Sequence, residues 1–122
     1  MYKHLLKPIL FQFNPETAHN LTFSALSILR HIPFAQSIIR SIYKKDSPSL
    51  QKEVFGIKFP NPVGLAGGLD KNGEFYNDMA NFGFGFVEIG SLTPKPQDGN
   101  QKPRCFRVPQ DRAIINRFGI NN

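Results

Sequence analysis

The stretch 64-GLAGGLDKNGEFYNDM-79 sets three glycines within five residues, runs into Asp70 and Lys71, and then takes on a helix-like pattern. A short apolar strand, 63-VGLA-66, leads in, and glycines without a Cβ let a ligand approach the backbone closely. The pattern predicts a helix from about Gly73 to Phe82 and a second strand over 84-FGFVEIG-90. Strand, loop, helix and strand make one βαβ unit, which implies a parallel sheet covered by helices. The loop fits neither the GxGxxG nor the GxxxxGK[ST] spacing. A helix N-terminus attracts anions, and Lys71 at its mouth opposes that dipole by about 0.3 kcal/mol or more unless an anion lies between them. On these residues alone two readings stand: a strand-to-helix turn with an exposed lysine, or a loop that receives a ligand. Glu88, inside the second apolar strand, is expected to find a buried partner.

Towards the N-terminus, 53-EVFGIKF-59 alternates around Gly56 as a tight hairpin does. The first third reads as helical. Asn14, Pro15 and Glu16 form an N-cap, a first-turn proline and a dipole-matched acid, and Ala18, Leu21, Ala25, Ile28, Leu29 and Ile32 follow at helical steps until Pro33. A shorter helix carries Phe34, Ile38, Ile39 and Ile42 on one side and Arg40, Lys44 and Lys45 near its end. Phe11, Phe13, Phe23 and Leu26 fall off the main stripe. Spare apolar surface beside lysines suits a membrane-surface element, and a helical hairpin packed on its own domain fits the same residues.

Towards the C-terminus, the proline-punctuated 93-TPKPQDGNQKPR-104 precedes an extended 105-CFRVPQ-110, and 116-NRFGINN-122 crowds three asparagines into seven residues. Carboxamides both donate and accept without charge, which suits the edge of a planar heterocycle, and Arg117 is placed to orient a carboxylate. A polar turn with Gly119 and Asn121 in left-handed conformations fits equally.

Composition removes several classes. With 122 residues, 40% of them hydrophobic, and no apolar run near ~20 residues, no membrane-spanning helix is expected. Cys105 is the only cysteine, which excludes an internal disulfide and a cysteine metal cluster and fits a reducing compartment; no metal site is expected. The N-terminus has no secretory signal pattern. Residues 1–45 hold six Lys/Arg against Glu16 alone, while residues 46–122 hold nine against eight acids. A basic segment attracts nucleic acid, anionic lipid or an acidic protein. Nucleic acid is not expected, because aromatics interleaved with Lys/Arg on an exposed face are missing. A single βαβ unit leaves its parallel strands without neighbours, so the chain reads as truncated.

Taken together, NPVGLAGGLDKNGE, GFGFVEIGSLTPKPQDGNQKPRCFRV and INRFGINN resemble dihydroorotate dehydrogenase, specifically its class 2, membrane-associated, quinone-dependent branch. The resemblance covers essentially the whole chain, and the NPETAH segment is similar to the helical region that this branch has in addition. It implies an α/β fold: the opening of an FMN-bearing (β/α)₈ TIM barrel over 47–122, preceded by a helical membrane and quinone-entry region over 1–46. The implied reaction is oxidation of dihydroorotate to orotate in pyrimidine synthesis, with electrons passing through FMN to a membrane quinone. Carried over residue by residue, Ala66, Gly67, Gly68, Leu69, Asp70, Lys71, Gly90 and Ser91 would meet the flavin. Lys71, Asn116, Arg117, Phe118, Gly119 and Ile120 would meet substrate, and His19 and Arg107 would line the quinone pocket. Ser91, Gly67 and Ile120 depart from the threonine, alanine and phenylalanine usual in the family.

The base serine of this branch is expected beyond residue 122, as is the FMN phosphate site, so the isolated chain is expected to be inactive and to retain FMN weakly or not at all. The implied location is the cytoplasmic side of a bacterial inner membrane, held peripherally. A rival reading is a non-catalytic basic amphipathic module that binds membrane or protein. Within the enzyme class, the rival is a soluble dehydrogenase that uses fumarate or NAD.

Overall fold

In a computed structural model, residues 2–122 are described, and they divide into two compact units. The first unit holds the chain through Ser27 together with Lys95–Asn121; the second holds Ile28–Pro94 and Asn122. Both units therefore draw chain from either side of residue 46.

In the first unit, a wide helical turn over Tyr2–Leu6 continues as α1 (Lys7–Leu10), and a turn leads into α2 (Pro15–Leu29), which begins in this unit. The Asn14 cap forms as expected, its Oδ1 accepting the Thr17 N–H at 2.9 Å. The α2 stripe differs from the sequence reading. Leu26 is buried beside Ala18, while Leu21 and Ile28 are exposed, so the packed face is rotated away from the expected one. The extended segment after Arg104 forms β5 (Cys105–Val108), and residues 113–116 fold back on it as β6 (Ala113–Asn116) in an antiparallel hairpin. Cys105 pairs with Asn116 and Val108 with Ala113.

In the second unit, α3 (Ala35–Tyr43) is followed by a 3₁₀ turn at Pro48–Leu50 and the expected hairpin of β1 (Lys52–Val54) and β2 (Ile57–Phe59). Its central residues, Phe55 and Gly56, have φ of 52° and 77°, the pair of positive values that a type I′ turn requires. The βαβ unit is also present: β3 (Gly64–Leu65) pairs in parallel with β4 (Phe86–Val87), with α4 (Tyr76–Asn81) between them.

The helix is shorter than expected, starting at Tyr76 rather than near Gly73. Asp70 is the cause. It is 3% exposed, and its carboxylate accepts the backbone N–H of Glu74 at 3.0 Å and of Phe75 at 2.8 Å, closing a turn with Gly73 at φ 68°. Lys71 therefore stands five residues ahead of the helix, outside the first turn over which a helix dipole acts. Glu88 is exposed rather than buried, because it lies one residue past β4 with its side chain against Gly67.

Polar contacts tie α4 and the turn before it to Arg30, just after α2, and to Gln36 on α3. Arg30 reaches Asp78 at 2.5 Å and the Glu74 carbonyl at 3.0 Å, and its guanidinium lies 4.4 Å from the centre of the Phe75 ring. Gln36 donates to Asp78 at 2.8 Å and accepts from Asn81 at 2.8 Å. Of the six Lys/Arg in residues 1–45, Arg30 is thus paired with Asp78, and Lys44 pairs with Asp46 at 3.3 Å.

Candidate functional site

Parallel pairing of Gly64 with Phe86 and of Leu65 with Val87 brings the C-terminal ends of β3 and β4 side by side. Ala66–Gly68 leave one strand and Glu88–Gly90 leave the other, and the Gly68 N–H donates to the Gly90 carbonyl at 2.8 Å. The two groups of residues expected at the flavin are therefore one continuous backbone surface. Gly68 has φ 94°, and a Cβ built there would meet nothing within 4 Å, so the backbone faces open space. At Gly67 a Cβ would come 3.0 Å from the Glu88 carboxylate, the end of an exposed, flexible side chain that can give way.

Ser91 is exposed, Gly90 is buried, and Leu69 is 39% exposed at the rim. Lys71 is half-buried, next to Asp70, whose carboxylate is turned inward onto the backbone and shapes the loop. Beyond Lys71, Asn72 donates to Glu74 at 3.2 Å and accepts from the Asn122 side chain at 2.9 Å. Asn122 also accepts from Thr93 at 3.4 Å. This relay of Asn72, Asn122 and Thr93 was not singled out from sequence; the asparagine crowding at 116–122 was its only visible sign.

In the first unit, Asn116 ends β6 with its side chain exposed, and the chain continues through Arg117 to Ile120, which is 73% exposed. The loop 98–100 clamps this run. The Asn100 N–H donates to the Phe118 carbonyl at 2.8 Å and the Asn100 side chain to the Arg117 carbonyl at 2.7 Å. Gly119 takes φ 65°, and a Cβ there would press on the Asn100 carboxamide at 3.2 Å. The Arg117 guanidinium grips the Pro103 carbonyl through Nε at 3.2 Å and Nη2 at 3.0 Å, so the structure uses it to hold the run in place.

Arg104 was not expected from sequence to matter, yet it is the hub. It is 7% exposed, its guanidinium donates to the Asp98 and Asn100 carbonyls, and it lies 5.4 Å from the centre of the Phe118 ring. Its remaining edge meets Glu16 on α2, through Nε at 3.0 Å and Nη2 at 3.0 Å. No local pattern announces a pair whose members are 88 residues apart.

Arg107, on β5, donates to the Phe13 carbonyl at 2.6 Å and to the Leu10 carbonyl at 3.4 Å, with its guanidinium 4.4 Å from the centre of the Phe11 ring. His19 lies on α2 with its ring stacked on Phe23, centroids 4.3 Å apart.

The family model for dihydroorotate dehydrogenase matches residues 49–122, which contain both glycine groups and the asparagine run. The chain belongs to the dihydroorotate dehydrogenase family. Curated relatives named dihydroorotate dehydrogenase (quinone) match all of it, with 52% identity for the protein of Christiangramia forsetii and 48% for that of Methylococcus capsulatus. The chain spans only 36% and 34% of their respective lengths. Among solved structures, dihydroorotate dehydrogenase from Eimeria tenella in complex with ferulenol superposes with a TM-score of 0.72 at 44% identity. That match covers 88% of this chain and 26% of the other. The mixed helix and strand architecture is thus shared with family structures over most of the chain.

Proposed function

We propose that this chain supplies the flavin-facing loops, part of the substrate site and the quinone entrance of a class 2 dihydroorotate dehydrogenase, and that the complete protein oxidises dihydroorotate to orotate with a membrane quinone as acceptor. The observation that carries this reading is the hydrogen bond from Gly68 to Gly90, at the ends of two parallel strands. In a (β/α)₈ barrel, chemistry gathers at that end of the strands. The side chains left exposed on β4 and β6, among them Phe86, Ile114 and Ile115, support the view that further barrel structure covers them in the complete protein.

The donor set fits FMN in part. An open, Cβ-free backbone at Gly68 suits a planar ring edge, and the Ser91 hydroxyl and the Lys71 ammonium suit its polar rim. Bound there, FMN would supply the two-electron acceptor chemistry. Lys71 would place positive charge beside the anionic substrate, where it stabilises charge that builds up during the reaction. Asn116 would read the ring of the substrate, and Phe118, Gly119 and Ile120 would also contact it. The base that takes the substrate proton is expected outside these residues.

His19 and Arg107 would line the quinone path, with residues 1–46 as the membrane-facing region; Met1 of that region lies outside the described residues. Support comes from α3, which exposes Ile38 at 57% and Ile42 at 56%, and from Phe34 just before it at 80%, beside Arg40, Lys44 and Lys45. An apolar face flanked by cations suits an anionic membrane surface. Attachment would be peripheral, on the cytoplasmic side of a bacterial inner membrane; among the described residues no helix is long and apolar enough to cross a membrane.

The test is flavin content and dihydroorotate oxidation, measured on the complete gene product and on the 122-residue chain alone. The complete protein should carry stoichiometric FMN and turn over with quinone. The short chain should do neither, because a barrel of this type needs ~250 residues. Stoichiometric flavin on the short chain, or a complete protein that binds vesicles but holds no flavin, would favour a different account.

A further inference from the structure

Glu16 and Arg104 join the first turn of α2 to the segment that carries Asn116. The route consists of named contacts within one compact unit. The Glu16 carboxylate holds the Arg104 guanidinium, which binds the carbonyls of Asp98 and Asn100. Asn100 in turn fixes the carbonyls of Arg117 and Phe118, and the Arg117 N–H donates to the Arg104 carbonyl at 2.8 Å. Arg104 is nearly buried, and Glu16 is the only acid paired with it among the described residues, with Lys102 standing 3.9 Å away on the same carboxylate. A buried cation that loses its partner moves toward water or recruits another one. Either response releases the 98–100 loop, and with it the run from Asn116 to Ile120.

We propose that Glu16 is a positioning residue for the substrate side of the reaction, although it sits on the helix assigned to the quinone side. It acts through Arg104 and touches neither substrate nor flavin. The inference rests on the reading of Asn116–Ile120 as the substrate run. It makes substrate affinity depend on how α2 begins, so the N-terminal helix and the substrate loop answer to one ion pair.

The experiment is titration of the complete flavoprotein with orotate, followed by the flavin absorbance change, for wild type, Glu16→Gln, Glu16→Asp, Asn100→Ala and Asn116→Ala. Glu16→Gln should raise the orotate Kd about tenfold and the dihydroorotate KM in parallel, with flavin stoichiometry and quinone KM within about twofold of wild type. Glu16→Asp, which keeps the charge, should recover most of the loss. Asn100→Ala should mimic Glu16→Gln, and the double variant should lose less than the sum because both act on one chain of contacts. An orotate Kd unchanged in Glu16→Gln while Asn116→Ala weakens binding overturns the inference and leaves the substrate assignment standing. An unchanged Kd in Asn116→Ala overturns the substrate assignment itself and the inference with it. Should Glu16→Gln fail to fold, Asn100→Ala decides: normal orotate affinity in that variant contradicts the route.

Discussion

The Asp70 carboxylate accepts the Phe75 N–H at 2.8 Å, and this contact shapes the glycine loop. With the Glu74 N–H on its other oxygen, Asp70 cages the turn that presents Lys71 and delays the start of α4. Asp70→Ala leaves two N–H groups without their acceptor and should cost about 2 kcal/mol of stability, with a larger fractional loss of FMN. Asp70→Asn keeps one good acceptor and should cost less. Urea unfolding and flavin content of the complete protein check both.

Glycines in the βαβ unit should tolerate alanine in a definite order. At Gly85 a Cβ would lie 2.1 Å from the Asn61 carbonyl oxygen, a backbone atom that cannot swing aside. Gly64 would place it 2.1 Å from the Phe86 ring, which itself packs edge-on against Phe59. Gly68 has room and meets only its backbone penalty of about 1–2 kcal/mol. Melting temperatures should therefore fall most for Gly85→Ala and least for Gly68→Ala, while FMN affinity should suffer clearly in Gly68→Ala. A Gly68→Ala protein with wild-type flavin affinity contradicts a flavin at this loop.

The buried Asp78 carboxylate holds Arg30 and Gln36 together. Asp78→Ala should destabilise the complete protein by about 2 kcal/mol, below the range for a fully buried pair because the Arg30 side chain is 33% exposed. Arg30→Ala adds the loss of packing over Phe75. In a double-mutant cycle the two should be clearly non-additive, since they share one contact.

Arg107 spreads its fork over two backbone carbonyls and the Phe11 ring, a geometry that a lysine cannot reproduce. Arg107→Lys and Arg107→Ala should both raise the quinone KM several-fold while leaving the dihydroorotate KM within about twofold, measured by steady-state turnover of the complete protein. A selective rise in the dihydroorotate KM would contradict the quinone assignment.

What was legible in sequence was local. Asn14 before Pro15, the hairpin at Phe55 and Gly56, and the strand pattern around Gly64 and Phe86 each depend on neighbours within a few residues, and each element formed. The pattern puts the helix start near Gly73, and the side-chain cage from Asp70 moves it to Tyr76. Leu26 lies off the α2 stripe in sequence yet is buried, because helical spacing does not reveal which arc of a largely apolar helix faces the fold. The Glu16 and Arg104 pair was invisible because its strength comes from burial and from a partner far along the chain. Glu16 read as a first-turn acid, which is correct for its place on the helix and silent about its partner.

The central claim is tested most directly by mixing the complete protein with dihydroorotate in the absence of oxygen, and then with a short-chain quinone, while watching the flavin absorbance. Bleaching by dihydroorotate and full recovery with quinone, but not with fumarate or NAD, is the predicted result. A flavin that dihydroorotate leaves oxidised, or one that fumarate or NAD reoxidises and quinone does not, would contradict it.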